Sequence, residues 1–251
     1  SAETSEGNLR ELKEVVAKKR AEIGVLLGGG REKIGLVLET GESAPAHSVL
    51  LFLLAHLFEQ KGERGGIVQT VTSSHLFRRF AVHHQEEIFH CPPGGVHLAK
   101  KLKETGMRFG IGEGGMLMDA RHLWVADAYR NFLMLVEAKA YSDETLSALL
   151  NQVQEKYGRM VRKRLDILVK EEEKKEILRK FRTYPILDLM GWDIREVRDV
   201  EGIWYSFEGE RNFLVRAGGT DTVVTIYLEA PREEEVNGME KKILEFIRGE
   251  G

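Results

Sequence analysis

The sequence predicts an α/β protein with a mixed, mostly parallel sheet and flanking helices, followed by an α+β domain of short antiparallel strands and helices. Two observations support this prediction. Apolar strand segments alternate with helical segments from residue 23 to residue 140, as they do in βαβ units. After Pro185, closely spaced strand segments follow at residues 194–198, 203–207, 213–216 and 223–228. A helix over residues 233–248 then closes the chain.

The chain begins with a helix and a hairpin. Apolar residues recur at helical spacing between Leu9 and Val16, so one face of the first helix is expected to pack on a core. Two apolar strands, residues 23–27 and 34–38, then flank a three-glycine turn at residues 28–30. The expected reason for these glycines is that glycine enters positive φ without steric cost.

Strands and helices then alternate. A strongly apolar helix over residues 47–60 is expected to be buried on most sides. The remaining strands are predicted at residues 67–71, 87–90 and 108–111, and the remaining helices at residues 75–83, 96–103, 126–140, 143–157 and 170–182. Because ligands bind at the carboxyl ends of the strands in a parallel sheet, the loops that follow strands are expected to line one cleft. These loops are residues 28–30, 73–74, 92–95 and 112–115.

The composition excludes several classes of function. The 251 residues carry a formal net charge of −3, which gives no bulk attraction to nucleic acid or to an anionic membrane. The longest apolar run, residues 49–54, is far shorter than the ~20 residues that span a bilayer. Cys91 is the single cysteine, which excludes an intrachain disulfide and indicates a reducing compartment. We therefore expect a cytoplasmic protein with no nucleic-acid or membrane partner.

Four segments match a known family in the same order along the chain. They are residues 8–24, residues 67–74 (IVQTVTSS), residues 91–115, which contain CPPG and FGIGEGG, and residues 215–230 (VRAGGTDTVVTIYLEA). Together they resemble the C-terminal part of the α-D-phosphohexomutases, the phosphoglucomutase/phosphomannomutase family. The resemblance implies a remnant of the family's second domain at residues 1–45, an α/β third domain at residues 46–160 and an α+β, phosphate-binding fourth domain at residues 161–251.

The family moves a phosphoryl group between the 1- and 6-positions of a hexose, in a cleft formed by four domains. The resemblance implies a phosphoserine in the first domain and a Mg²⁺ held by an Asp-Gly-Asp-x-Asp-Arg loop in the second. It further implies a Gly-Glu-x-Ser-Gly sugar loop in the third domain and an Arg-x-Ser-Gly-Thr-Glu-Pro phosphate loop in the fourth. Such groups position the phosphoryl group and neutralise its charge. Of these domains, the chain is expected to lack the first and most of the second.

The family's metal loop is changed most. Its three Asp positions correspond to Gly28, Gly30 and Glu32, and Glu32 is flanked by Arg31 and Lys33. Mg²⁺ is the family cofactor, but it prefers several hard oxygen ligands. One carboxylate between two cations therefore predicts that no metal or other cofactor is bound, and no residue is predicted to be catalytic.

The other two loops keep part of the family pattern. At the sugar loop, residues 112–115, Glu113 can replace the family's Glu by a one-residue shift, so Glu113 and Gly115 are the candidate sugar-binding residues. The phosphate loop has lost its Ser and Pro but keeps a guanidinium, a hydroxyl and backbone N–H donors, which suit an anion. The candidate phosphate-binding residues are Arg216, Gly218, Gly219 and Thr220.

Altered sites on a preserved fold pattern predict a phosphohexomutase-related protein of carbohydrate metabolism that is not catalytic alone. The family reaction would be an intramolecular phosphoryl transfer, which makes an active member an isomerase. Two alternatives stay open: the C-terminal half of an active mutase whose N-terminal half is missing or separate, and a module that binds hexose phosphate for regulation. The sheet edge left open in residues 1–45 also predicts a homo-oligomer or a protein partner that covers it.

Overall fold

The computed structural model of the chain describes residues 6–183, 191–199, 201–217 and 222–249. The chain divides into two compact units, Ser1–Gly158 and Arg159–Gly251. The predicted remnant at residues 1–45 belongs to the first unit, and its origin in a second family domain stays a prediction. Within the described ranges, no helix combines the length and the apolar character that crossing a membrane requires.

The first unit opens with a helix and a three-stranded antiparallel sheet. Helix α1 (Glu6–Lys19) is followed by β1 (Ile23–Leu27), β2 (Ile34–Leu38) and β3 (Ser43–Ala44), and the strand order is β1-β2-β3. Leu9 and Val16 of α1 form a buried cluster with Val37 of β2. The predicted helix and hairpin are confirmed. Strand β3 is not predicted from the sequence, because two residues carry no readable periodicity.

The turn between β1 and β2 differs from the predicted one. None of Gly28, Gly29 and Gly30 has positive φ, and the residue in the left-handed region is Arg31, with φ of 57°. The Arg31 N–H donates to the Gly28 carbonyl at 2.8 Å, and the Gly28 N–H donates to the Lys33 carbonyl at 2.9 Å. These two hydrogen bonds close the turn. The prediction that positive φ explains the three glycines is therefore wrong.

The second sheet of this unit has four strands in the order β5-β4-β6-β7. They are β4 (Ile67–Thr70), β5 (Ile88–Cys91), β6 (Phe109–Gly112) and β7 (Met116–Asp119). Strand β4 pairs in parallel with β5 and with β6, whereas β7 pairs antiparallel with β6. The predicted mixed, mostly parallel sheet is confirmed. Its three parallel strands bring their carboxyl ends to one edge of the sheet.

Five further helices complete the described part of the first unit: α2 (Ala46–Ala55), α3 (Leu76–His83), α4 (Gly95–Thr105), α5 (Ala128–Ala140) and α6 (Leu146–Tyr157). Helix α2 continues as a π-helical turn, His56–Gln60, and is buried from His47 to Phe58, as its apolar sequence predicts. Side-chain caps by Asp127 and Thr145 set the starts of α5 and α6. These caps explain why both helices begin later than predicted.

The described part of the second unit contains a five-stranded antiparallel sheet, two α-helices and a 3₁₀-helical turn at Glu208–Glu210. In the order β8-β12-β11-β10-β9, its strands are β8 (Val161–Leu168), β12 (Val223–Ala230), β11 (Asn212–Ala217), β10 (Ile203–Phe207) and β9 (Ile194–Asp199). The helices are α7 (Glu171–Thr183) and α8 (Glu233–Arg248). A buried apolar cluster joins the sheet to both helices and includes Phe181, Phe213, Ile226 and Ile243. The predicted α+β domain of antiparallel strands is confirmed.

Candidate functional site

The predicted 112–115 loop lies directly against Lys33, at the end of the 28–33 loop, and Ile34, at the start of β2. A Cβ atom built on Gly115 would collide with the backbone carbonyl oxygen of Ile34, so the 112–115 loop passes over the start of β2. A Cβ atom built on Gly114 would lie 3.0 Å from Lys33 Cδ. The φ angles of Gly114 and Gly115 are 71° and 84°, a region that favours glycine and permits this close approach. The positions of the family's sugar and metal loops are therefore neighbours.

A third loop contributes the N-terminus of helix α4. A Cβ atom built on Gly95 would lie 3.9 Å from Glu32 Oε1, which places the Glu32 carboxylate beside the first turn of α4. The first backbone N–H groups of a helix have no partner within it, and with the helix dipole they favour a negative charge. Glu32 is the single carboxylate of the 28–33 loop. Its carboxylate therefore lies close to the N-terminus of α4.

The start of helix α5 contacts the 28–33 loop as well. The Ala128 N–H donates to the Arg31 carbonyl at 2.9 Å. The guanidinium carbon of Arg31 lies 5.9 Å from the centroid of the Tyr129 ring, within the range of a cation–π contact. The backbone of the loop is thus held by α5, while the Arg31 side chain is exposed at the surface of the unit.

Asp127 fixes the start of α5. Its Oδ1 accepts from the Tyr129 and Arg130 N–H groups at 3.0 and 3.1 Å, which is an N-cap. Its Oδ2 lies 3.0 Å from His122 Nε2. The hydrogen bond from His122 is the largest cause that lowers the pKa of Asp127. Asp127 therefore acts as an ionised cap that positions the helix beside the 28–33 loop.

The two serine hydroxyl groups of the predicted 73–74 loop form hydrogen bonds with neighbouring parts of the chain. Ser73 Oγ donates to the Ile111 carbonyl at 3.2 Å and lies 2.9 Å from Thr70 Oγ1. Ser74 Oγ accepts from the Leu76 N–H at 3.2 Å, at the start of α3. Both serines are buried. The hydroxyl groups of this loop therefore stabilise the ends of β4 and β6 and the start of α3.

The residues at the family's metal loop do not fit a divalent cation. Gly28 and Gly30 bring no side-chain oxygen to the loop, and Glu32 lies beside α4. In the part of the chain that the structure describes, no group of three or more His, Cys, Asp or Glu side chains is placed to hold a metal ion. Mg²⁺ requires several oxygen ligands in nearly octahedral geometry. The donor set of this loop therefore disagrees with the family's metal site.

The two candidate sugar-binding residues have different surroundings. Gly115 is buried, and its contact with Ile34 gives it a packing role on β2. Glu113 is half-buried in the same loop and is its one ionisable side chain. A sugar hydroxyl is a suitable partner for a carboxylate of this kind. The sugar-binding role of both residues stays a prediction.

The candidate phosphate-binding loop belongs to the second unit. Arg216 lies in β11, is half-buried, and its Nε donates to the Glu201 carbonyl at 3.4 Å. Thr225, which pairs with Arg216 across the two strands, donates to Asp166 Oδ1 at 2.8 Å. Three other predicted residues lie outside the described residues: Gly218, Gly219 and Thr220. The phosphate-binding role of the loop stays a prediction.

A buried ion network that sequence reasoning misses anchors helix α5. Asp119 is 3% exposed and accepts from Arg108 Nε and Nη2, each at 3.0 Å, and from Arg130 Nη2 at 2.7 Å. Burial alone would raise the pKa of Asp119, but the hydrogen bonds from Arg108 and from the Arg121 N–H lower it overall. Arg108 also contacts Glu63. Only the pairing of β6 with β7 and the packing of α5 bring these charges together, so no sequence motif signals them.

Comparison with known proteins identifies the α/β part of the first unit. The family model described as phosphoglucomutase/phosphomannomutase, alpha/beta/alpha domain III, matches residues 45–157. This range begins just before α2 and ends with α6, so it includes the whole four-stranded sheet and the 112–115 loop. The sequence prediction of a third family domain at residues 46–160 covers nearly the same range.

Curated relatives match most of the chain. The phosphoglucosamine mutase of Campylobacter jejuni strain RM1221 is 24% identical over 234 residues, which cover 93% of this chain and 47% of that protein. The phosphoglucosamine/phosphogalactosamine mutase of Sulfurisphaera tokodaii is 23% identical over 247 residues, which cover 96% of this chain and 51% of that protein. The chain spans about half the length of the curated relatives it matches.

Solved structures share the fold. A Thermus thermophilus protein assigned as a phosphomannomutase superposes with a TM-score of 0.81 at 22% identity, over 99% of this chain and 51% of that one. A phosphoglucomutase/phosphomannomutase family protein of Burkholderia thailandensis superposes with a TM-score of 0.77 at 20% identity, over 97% of this chain and 50% of that one. Residues 45–157 therefore match a phosphoglucomutase/phosphomannomutase domain III, and the matches together support a C-terminal part of an α-D-phosphohexomutase.

Proposed function

We propose that this chain is a phosphohexomutase-related protein of carbohydrate metabolism that binds a hexose phosphate and does not isomerise it alone. One observation carries the proposal. The loops at the family's metal and sugar positions lie against each other, yet Gly28, Gly30 and Gly114 stand where the family has two Asp and a Ser. The scaffold that would position a ligand is kept, whereas the carboxylates that would hold a catalytic metal are not.

The ligand class is supported by related proteins and by the charges of the chain. A neighbouring structure, the Aspergillus fumigatus N-acetylphosphoglucosamine mutase, has a TM-score of 0.60 and is a complex with GlcNAc-6P and magnesium. In this chain Arg216 supplies a guanidinium, which binds phosphate oxygens through two parallel hydrogen bonds. The free, buried Cys91 supports a cytoplasmic location as part of the proposal.

Replacing Arg216 with alanine is expected to raise the Kd of the chain for a hexose 1-phosphate by about 10- to 100-fold, since a hydrogen bond to a charged group contributes about 1.5–3 kcal/mol. Isothermal titration calorimetry with glucose 1-phosphate, glucosamine 1-phosphate and mannose 1-phosphate measures this change. Arg195→Ala is a suitable control, because Arg195 is exposed on β9 of the same sheet. Absence of heat with all three ligands and the unmodified chain would contradict the proposal.

A second candidate function is the C-terminal half of an active mutase whose N-terminal half is a separate polypeptide. The match to about half of each relative supports it. Inspection of the neighbouring reading frames would find such a half. Mixing the two polypeptides is then expected to produce Mg²⁺-dependent isomerisation that neither polypeptide shows alone. If the mixture is inactive, this second candidate fails, whereas the binding proposal is unaffected.

We also propose that a second copy of the chain, or another protein, covers strand β1. In the described part of the first sheet, β1 has β2 as its neighbour on one side and forms the edge on the other. Its sequence, IGVLL, has no charge and no proline, the features that usually protect an edge. Analytical ultracentrifugation is expected to show a dimer whose β1 amides are protected from hydrogen exchange. A monomer with the same amides protected would contradict this prediction.

A further inference from the structure

We propose that His84 is a pH-sensitive switch in the first unit. Its neutral ring joins the end of helix α3 to Arg64 and to Tyr157, and protonation of the ring breaks the hydrogen bond with Arg64. His84 directly follows α3, and its side chain is only 8% exposed. The ring centroids of Phe58 and Phe80 lie 5.0 and 4.4 Å from that of His84. The imidazole is therefore enclosed, and its hydrogen bonds are made with protein groups.

The partners of His84 decide which ring nitrogen carries the proton. Arg64 Nη1 lies 2.9 Å from His84 Nδ1. Because a guanidinium only donates, Nδ1 accepts and the proton of the neutral ring is on Nε2. Nε2 donates to Tyr157 Oη at 2.8 Å, and the Tyr157 hydroxyl donates to Glu59 on the π-helical turn. The hydrogen bonds thus run in one direction, from Arg64 through His84 and Tyr157 to Glu59.

A protonated His84 has no acceptor for its second N–H group. Both nitrogens of an imidazolium are donors, so Nδ1–H would point at the N–H groups of Arg64, and the Arg64 side chain must move away. Arg64 belongs to the segment before β4. Its carbonyl accepts from Arg108 Nη1 at 3.4 Å, and the next N–H, that of Gly65, donates to Glu86 Oε1 at 3.3 Å. Protonation therefore removes one of the hydrogen bonds that attach this segment to the end of α3.

The charges around His84 oppose its protonation. The titratable and charged groups that face the ring come from α3, the π-helical turn, the segment before β4 and α6. They are His83, Glu59, Arg64, Lys156 and Tyr157. Glu59 lies 3.6 Å from His84 Nε2, but it already accepts from Lys156 at 2.8 Å. Burial is the largest cause that lowers the pKa of His84, and the neighbouring His83 is the next. The neutral ring therefore contributes its full stability above about pH 6.5, the pKa of an unfolded histidine, and this contribution is lost as the pH falls below that value.

NMR of the histidine rings in the unmodified chain tests the assignment directly. Near pH 7 the ¹⁵N shifts of His84 are expected to show a neutral ring protonated on Nε2, with a pKa below about 6.5. Arg64→Ala is expected to raise the pKa of His84, because it removes a cation and the donor to Nδ1. Arg78→Ala is the matched control, since Arg78 is an exposed arginine on α3. A proton on Nδ1, or equal pKa values of His84 in the two variants, would overturn the inference.

Hydrogen exchange tests the structural consequence. Protection of the Gly65 amide, corrected for the intrinsic exchange rate, is expected to fall about tenfold between about pH 7 and pH 5. His84→Gln should keep this protection, because glutamine offers an acceptor and a donor and takes up no proton in this range. His97→Gln, which changes an exposed histidine on α4, should behave as the unmodified chain does.

Equal pH dependence of Gly65 protection in His84→Gln and in the unmodified chain would overturn the inference. The NMR titration needs no substitution at His84, so it decides the inference even if His84→Gln does not fold. A pKa of His84 at or above about 6.5 in the unmodified chain would overturn it as well.

Discussion

Replacing Asp119 with alanine is expected to lower the free energy of unfolding of the first unit by about 3–5 kcal/mol, the usual result of removing one partner from a buried ion pair. Asp119 is the common acceptor for Arg108 and Arg130, and the Arg108 side chain is only 8% exposed. Without the carboxylate, Arg108 stays buried with Glu63 as its remaining carboxylate contact. Urea unfolding followed by circular dichroism measures the change.

The control for this variant is Glu104→Ala. Glu104 forms surface ion pairs with Lys100 and Lys101 at 3.9 and 3.6 Å and is about half exposed. Exposed pairs of this kind contribute about 0–1 kcal/mol, so the control is expected to unfold nearly as the unmodified chain does. Equal destabilisation by the two variants would show that the Asp119 network does not anchor the unit.

The effect of Asp119 is also expected to depend on pH. Its pKa in the folded state lies below the value of about 3.9 that an unfolded Asp has. The carboxylate therefore contributes stability above about pH 3.9, and this contribution is lost as the pH falls through the lower folded value. The stability difference between the unmodified chain and Asp119→Ala should be largest near pH 7 and shrink below about pH 4. A difference that grows on acidification would contradict the assignment.

Replacing Gly115 with alanine is the second change with a large expected effect, about 3 kcal/mol of lost stability. Two causes combine. The φ of 84° is unfavourable for an L-residue, and the new methyl group would collide with the Ile34 carbonyl oxygen, which is backbone and cannot move aside. The 112–115 loop must then leave β2, so hexose-phosphate binding is expected to weaken as well.

Gly41→Ala separates the two causes. Gly41 has the same φ of 84°, but a Cβ atom built on it meets nothing within 4 Å. Its replacement should therefore lower the free energy of unfolding by about 1 kcal/mol, from the unfavourable φ alone, and leave ligand binding unchanged. Thermal unfolding and titration calorimetry on the two variants make the comparison. Equal losses of stability would mean that the contact between the 112–115 loop and β2 is not tight.

Much of this architecture could be predicted because the sequence pattern and the packing agree. The apolar helix at residues 47–60 and the hairpin strands are predicted from continuous apolar runs. The 112–115 loop lies against Lys33 and Ile34, but the strand-end rule does not explain this contact, because β1 and β2 belong to a separate antiparallel sheet. Strand β8 is missing from the predicted elements, because its alternation of Arg162 and Arg164 with Leu165 and Ile167 lies in a stretch dominated by charged residues.

Other features depend on contacts that a sequence does not encode locally. The left-handed residue of the first turn is Arg31 rather than a glycine, because the turn is closed by hydrogen bonds from Gly28 and Arg31. The position of Glu32 beside α4 depends on how two distant segments pack. The Asp119 network likewise requires the sheet to be assembled first. Each is a tertiary effect that outweighs local preference.

The most direct test of the central claim is a ³¹P NMR experiment on glucose 1-phosphate with the full chain, Mg²⁺ and a small amount of glucose 1,6-bisphosphate. A protein that binds hexose phosphate without isomerising it should broaden or shift the 1-phosphate resonance, and no 6-phosphate resonance should develop. Growth of a 6-phosphate resonance in proportion to the protein concentration would contradict the claim, and so would a 1-phosphate resonance that the protein leaves unchanged.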